Sequence, residues 1–129
     1  MVKVSVPQSI TKWVDICPLS AIAPNTGVCA LVEEQQVAIF RVGTEADVFA
    51  ISNYDPFSKA FVLSRGIVGD RNGIPKVASP IYKQNFNLIT GQCLDDETVS
   101  IPTFTVRVVE DRVLLATEPK GQRHEALFD

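Results

Sequence analysis

Apolar and polar positions alternate in short runs along the chain, and each run ends at turn residues. Lys12-Trp13-Val14-Asp15-Ile16 alternates as a half-buried strand does. A loop bounded by Pro18 and Pro24 follows, and Asn25-Thr26-Gly27 supplies turn chemistry before the next strand. Val28 to Val32 and Val37 to Val42 are apolar and β-branched. The polar Glu33-Glu34-Gln35-Gln36 between them has the length of a hairpin loop. Val48-Phe49-Ala50-Ile51 predicts another strand, and Asp70-Arg71-Asn72-Gly73 a turn into Ile74 to Ala78. Pro75 inside that run predicts an edge position, because proline has no N–H for a ladder. Over Thr103 to Ala116, Val106 and Val108 precede a turn at Glu110-Asp111, and Val113 and Leu115 follow it. No apolar pattern keeps helical spacing through three turns with caps at both ends, so helices are predicted short or absent. Ser58 to Ser64 is the one stretch given a helical turn or two. Short strands with turns between them predict an all-β antiparallel sandwich or barrel.

The chain has 129 residues, 46% of them hydrophobic, enough for one self-sufficient core and too few for a comfortable second domain. One domain is expected over residues 1–117, with a polar, mobile tail over 118–129 whose terminal Leu127 and Phe128 read as frayed apolar residues before a docking motif. The net charge is −3 and the basic residues are scattered, which argues against a nucleic-acid surface. No apolar run approaches the roughly 20 residues that span a bilayer. Lys3, Pro7 and Gln8 interrupt the N-terminus before a signal-like stretch forms. Cytoplasmic residence and no membrane contact follow as expectations.

Chemistry is scarce. Cys17, Cys29 and Cys93 are odd in number and widely spaced, which suggests neither a disulfide framework nor a zinc site. Cys29, in Val28-Cys29-Ala30-Leu31-Val32, reads as a small buried hydrophobe. The single histidine, His124, stands in the tail, a poor place to hold a general base in fixed geometry. Gly66, Gly69 and Gly73 match no phosphate-binding motif and read as turn residues. Asp95-Asp96-Glu97 lacks the spacing of a calcium loop and reads as a solvated acidic loop. No catalytic, cofactor-binding or metal-ligating residue is assigned.

The most informative segments are Asn53-Tyr54-Asp55-Pro56-Phe57, then Ser79-Pro80-Ile81-Tyr82, then Phe86-Asn87-Leu88-Ile89-Thr90-Gly91. Their layout resembles the two cluster-binding loops of Rieske proteins. In that alignment the four ligand positions fall on Asp55, Phe57, Ser79 and Tyr82. A Rieske centre takes two thiolates on one iron and two imidazoles on the other, and these residues offer neither. Oxygen donors suit hard cations instead, so the loops are expected to form a packed or hydrogen-bonded plug with no [2Fe–2S] cluster. Asp55 buried alone would be costly. It must cap backbone N–H groups, pair with a base such as Lys59 or Lys83, or face solvent.

A narrower resemblance covers nearly the whole chain, from Lys12 to about Ala116. Trp13-Val14-Asp15-Ile16-Cys17-Pro18-Leu19, Pro24 to Val32, Gln36 to Phe40, and the ligandless loops themselves resemble the small subunit of assimilatory NAD(P)H-dependent nitrite reductase. The resemblance implies a Rieske-like antiparallel β-sandwich bearing a small loop subdomain. It also implies an accessory subunit without cofactors, partnered by a large subunit that carries FAD, [4Fe–4S] and siroheme and reduces nitrite to ammonium in nitrate assimilation. Neither NADH nor nitrite is then expected to bind this chain alone.

Phe57, Phe61, Ile81 and Tyr82 supply the aromatic and apolar area that dominates interfaces. Phe57 and Tyr82 are expected to fill the space a cluster would occupy, so Tyr82→Ala should cost stability more than association. Phe61 and Ile81 stand as candidate partner contacts. Two other classes compete: an electron carrier with an unusual centre, which iron analysis would expose, and a free-standing binding or protein-interaction module, which failure to co-purify with a siroheme protein would favour.

Overall fold

The computed structural model describes residues 12–120, and all eleven strands found there pair antiparallel. The strands are β1 (Trp13–Pro18), β2 (Thr26–Val32), β3 (Gln35–Val42), β4 (Asp47–Ser52), β5 (Tyr54–Asp55), β6 (Ala60–Phe61), β7 (Ile67–Arg71), β8 (Ile74–Ala78), β9 (Asn85–Asn87), β10 (Thr103–Val109) and β11 (Arg112–Pro119). A six-stranded sheet runs β1-β11-β10-β4-β3-β2, a two-stranded ribbon joins β5 and β6, and a three-stranded sheet runs β7-β8-β9. The only helical turns among the described residues are 3₁₀, at Leu19–Ala21 and Leu63–Arg65. The expected turn over Ser58 to Ser64 is replaced by β6 and the start of the second 3₁₀ turn.

Strand β3 explains the architecture. Its side chains alternate between two cores, as the two-residue period of a strand requires. Val37 and Ile39 enter one cluster with Val32, Ala50, Phe104, Val113 and Leu115. Ala38 and Phe40 enter the other with Ile51, Leu63, Val77, Phe86 and Leu88. Four consecutive residues of β3 are therefore fully buried, and the run reads as continuously apolar because neither face meets water. The first cluster lies inside the curl of the six-stranded sheet, whose end strands β1 and β2 both pack on it. The second lies between β3–β4 and the β7-β8-β9 sheet, and that small sheet is what carries the loop subdomain.

The structure differs from the sequence reading at one turn and one edge. Strand β3 begins at Gln35, and the register Val32↔Gln35 leaves a two-residue loop, Glu33-Glu34, with φ of 49° and 68°. That is the twist of a type I′ turn, formed by residues that carry no such signal because the burial of both faces of β3 fixes the register. Asn72-Gly73, with φ of 54° and 86°, makes the same turn from the residues that favour it. Pro75 does not lie on an edge: β8 is the central strand of its sheet. The Pro75 carbonyl accepts from Leu88 N at 2.9 Å, and in an extended strand the N and C=O of one residue face the same side. Its missing N–H thus points toward β9, just beyond the last register pair Lys76↔Asn87, and takes no bond from the β7 ladder.

Strand β11 runs to Pro119, and Lys120 N donates to Thr103 O at 2.7 Å, so residues 118–120 belong to the folded sheet and not to the expected tail. His124, Leu127, Phe128 and the first eleven residues lie outside the described residues.

Gly91 closes the segment after β9. Its φ is 80°, its carbonyl accepts from Ile101 N at 2.9 Å, and a Cβ there would stand 2.1 Å from Ile101 O. Gly43 has φ of 73°, and a Cβ there would meet nothing within 4 Å. Gly43→Ala should cost about 1–2 kcal/mol, the ordinary left-handed penalty, and Gly91→Ala a further ~1–3 kcal/mol for the displaced carbonyl. Denaturant midpoints of the two variants measure the difference, and equal losses would refute the close-packing argument.

Candidate functional site

The two ligandless loops are the tips of two hairpins. The first tip, residues 56–59, joins β5 to β6, and the second, residues 79–84, joins β8 to β9. Asp55 ends β5 with its side chain wholly buried. Its Oδ1 accepts from Phe57 N at 2.9 Å, and its Oδ2 accepts from Ser58 Oγ at 2.9 Å and from Ser79 Oγ at 2.5 Å. Ser79 is also buried, and its hydroxyl accepts from Ile81 N at 3.3 Å while its N–H donates to Gln84 O at 2.9 Å. The side chains at two of the four aligned ligand positions thus bond directly to each other and clasp one hairpin tip to the other.

Asp55 is satisfied by an N–H and two hydroxyls, the first of the three outcomes open to it. No ion pair to Asp55 occurs among the described residues, so neither Lys59 nor Lys83 is its partner. Phe57, at the third position, packs on Phe86 with ring centroids 6.1 Å apart and joins the second core. Tyr82, at the fourth, is 61% exposed and fills no internal space. That corrects the expectation for Tyr82: the Asp55–Ser79 contact occupies the interior between the tips, and the aromatic ring is left on the surface.

Asn53 carries more structure than its sequence suggests. It is buried, its Oδ1 accepts from Ser64 N at 2.7 Å, and its Nδ2 donates to Gln36 Oε1 at 3.0 Å and to Cys29 Sγ at 3.5 Å. Its backbone adds Asn53 N to Gln36 O at 3.0 Å and Leu63 N to Asn53 O at 3.1 Å. One side chain thereby ties β2, β3 and the Leu63–Arg65 turn together beneath the first hairpin. An isolated Asn between a strand and a Tyr gives no pattern from which that could be read. Cys29 is exposed rather than buried, because β2 is an edge strand and alternates. Partial burial still pushes its thiol pKa up, which favours the protonated thiol over the nucleophilic thiolate.

The acidic stretch after the second loop is not simply solvated. Asp95 Oδ2 accepts from Asn85 N at 2.8 Å and from Asn85 Nδ2 at 3.0 Å, and Arg71 Nη2 lies 3.3 Å from Oδ1. The Asn85 backbone N–H, with smaller help from its side chain and from Arg71, lowers the Asp95 pKa. Asp96 is lowered by the Thr98 hydroxyl and N–H. Asp95 thus pins the start of β9, where the second loop ends.

These loops do not fit an iron–sulfur centre. They present a carboxyl, a phenyl ring, a hydroxyl and a phenol where thiolates and imidazoles are required, and the Asp55–Ser79 bond closes the gap a cluster would bridge. The buried, unpartnered Gln84 Oε1 at the end of the second loop is a hard amide oxygen, ill-suited to iron–sulfur chemistry. Among the described residues no three His, Cys, Asp or Glu side chains group as metal ligands. No redox step is derived through this chain.

Residues 12–116 match the family described as Rieske-like [2Fe-2S] domain. The chain is 47% identical over 106 residues to the nitrite reductase (NADH) small subunit of Escherichia coli (strain K12), which covers 82% of this chain and 98% of that protein. The solution structure of the E. coli protein NirD superposes with a TM-score of 0.78 at 45% identity, covering 88% of this chain and all of that one. A third relative differs in kind: the nitrite reductase [NAD(P)H] large subunit of Klebsiella oxytoca is 39% identical over 114 residues, 88% of this chain but only 12% of that protein.

Asp55→Asn and Ser79→Ala should each destabilise the fold by about 1–3 kcal/mol, the cost of leaving a buried donor or acceptor unpaired. In the double variant the losses should fall short of additive by at least ~0.5 kcal/mol. Additive losses in chemical denaturation would show that the clasp is not an energetic unit. Asp95 gives a pH test. Its folded pKa is depressed, so its stabilisation is complete above the ordinary carboxylate value and drains away as pH falls through the lower folded value. Asp95→Asn should therefore lower stability at neutral pH and flatten the acid limb below about pH 4. An unchanged acid limb would refute the anchoring role.

Proposed function

The chain belongs to the Rieske-like family of NADH-dependent nitrite reductase small subunits, and on that premise we propose that it is the cofactor-free accessory subunit of a large subunit that reduces nitrite to ammonium in nitrate assimilation. The observation that carries the partnership is the K. oxytoca relative, in which a domain 39% identical to this chain forms part of a large subunit's own polypeptide. Two units found covalently joined in one relative have a high effective concentration for one another, and a separate chain would need a surface to replace that tether.

FAD, [4Fe–4S] and siroheme are assigned to the large subunit, with electrons taken from NADH or NADPH there. For this chain the direct Asp55–Ser79 bond supports a role without a cluster. The same bond speaks against a small-molecule module built on the loops, since it spends the side chains at two of the four aligned ligand positions on each other. Cytoplasmic residence fits a soluble assimilatory enzyme, and no helix among the described residues is long and apolar enough to cross a membrane.

The test is NADH-dependent nitrite consumption by the large subunit of the same source, expressed with and without this chain. Co-elution with activity raised several-fold is expected, and the purified small chain should contain no iron and show no calorimetric binding of NADH or nitrite. A large subunit fully active alone that never co-elutes with this chain would overturn the accessory role, and stoichiometric iron in this chain would overturn the cofactor-free reading.

A further inference from the structure

We propose that the groove between β2 and β6 is occupied by this chain's own C-terminal segment, with Leu127 and Phe128 against its apolar walls and Arg123 beside Glu34. The groove encloses about 290 Å³, and its lining includes Leu31, Glu34, Gln36, Phe61, Pro102 and Phe104. Leu31 and Phe61 are 74% and 54% exposed, so two large apolar side chains face one recess and meet water there. Phe61 is held in place by its ring contact with Tyr54, centroids 5.0 Å apart. The polar wall is already satisfied, since Gln36 Oε1 accepts from Asn53 Nδ2 at 3.0 Å. An apolar occupant therefore removes hydrocarbon from water without having to supply a donor.

The path of the chain identifies the occupant. Phe104 pairs with Pro119, and Lys120 N donates to Thr103 O at 2.7 Å. Thr103 stands between Pro102 and Phe104, which both line the groove. Strand β11 thus delivers the chain to the groove's edge, and its antiparallel direction against β10 heads toward Pro102. The next residue is Gly121, the residue type with the widest choice of backbone direction. Leu127 lies seven residues past Lys120, a reach of about 23 Å at ~3.3 Å per residue. Successive side chains of an extended segment point to opposite sides, so the adjacent Leu127 and Phe128 can meet two walls at once.

Charge adds a local contact. Glu34 is the one charged side chain lining the groove among the described residues, and it makes no ion pair among them. Its neighbour Glu33 is taken by Lys12 at 2.9 Å. Arg123 follows Lys120 by three residues and supplies the cation that Glu34 lacks. The segment also carries Glu125 and Asp129, so its total charge gives no attraction and the apolar pair makes the selection. A short tether holds the segment at an effective concentration of about millimolar. Contacts too weak to retain a free peptide therefore suffice to seat it.

The experiment is solution NMR of the isotope-labelled full chain, with trypsin cleavage as a second readout. Nuclear Overhauser contacts are expected from the Phe128 ring to the Leu31 methyls and the Phe61 ring, within one molecule. In Leu127→Ser with Phe128→Ser, the amide signals of Leu31, Gln36 and Phe61 should shift. Those of Ile67 and Ile89, exposed apolar residues that do not line the groove, should stay. Cleavage after Arg123 follows the undocked population and should run at least tenfold faster in that double variant, with a smaller gain in Glu34→Gln. Groove signals unchanged in the double variant would overturn the proposal, whatever the cleavage rate. Contacts between differently labelled molecules would give the groove to the segment of a second copy. Contacts from Val2, Val4 or Val6 would give it to the N-terminal segment, and either result overturns the proposal. No readout involves the large subunit, so failure here leaves the subunit reading intact.

Discussion

Everything else in the molecule hangs on the centres of β3 and β4, Val37 to Phe40 and Ala50-Ile51, being buried on both faces. Each places alternate residues in two separate cores: Val37, Ile39 and Ala50 in one, Ala38, Phe40 and Ile51 in the other. A slip of one residue would exchange every side chain between the two cores, putting Ala38 where Val37 packs and Phe40 where Ile39 fits. The register is over-determined for that reason, and the turns at either end must accept the loop lengths that register leaves. The Glu33-Glu34 turn, with both residues at positive φ, is the visible consequence. Local preference yields to a constraint worth several buried side chains at roughly 1.5–3 kcal/mol each.

The same wall positions the candidate site. Strand β4 leads through Ser52 into Asn53, whose hydrogen bonds to Gln36 and Ser64 fix the exit direction of the chain. Tyr54 and Asp55 follow at once as β5. From the other side, Val77 and Phe86 anchor β8 and β9 in the second core, so the Ser79 loop springs from a packed base. The Asp55 clasp therefore joins two tips whose roots are already held. A carboxyl that gathers an N–H and two hydroxyls can do mechanically what a metal cluster does in a Rieske domain, which is to cross-link the loops, without any redox chemistry.

Much of this was legible in the sequence and some was not, for identifiable physical reasons. The β2, β3, β4, β10 and β11 runs, the Asn72-Gly73 turn and the lack of α-helix among the described residues follow from apolar periodicity and turn chemistry. The ligandless frame at Asp55, Phe57, Ser79 and Tyr82 is visible because thiolate and imidazole ligands have no substitutes among O-donors and phenyl rings. Strand β9, three residues long, is too short for any period to show. Pro75 in a central strand is invisible because its tolerance depends on which side β9 lies and where it stops. The hidden role of Asn53, the exposure of Tyr82 and the bracing by Asp95 all depend on contacts between segments distant in sequence, which no local pattern records.

The clasp also orders the two hairpin tips through the chain's own hydrogen bonds. Loops whose backbone bonds were satisfied by water alone would sample many conformations, and ordering them on contact would cost roughly 0.5–1.5 kcal/mol for each side chain immobilised. Here Ser79 N and O-donor chemistry, the Lys59 N to Asp55 O bond at 2.7 Å and the Tyr54–Phe61 ring contact meet that cost within the isolated fold. Polar groups that could have been left to solvent are instead spent inward, and apolar groups that could have been buried are left outward. Of the tip side chains, Phe57 joins the second core while Ile81 and Tyr82 stay exposed. The physical consequence is a surface at the tips whose shape is fixed by the fold itself.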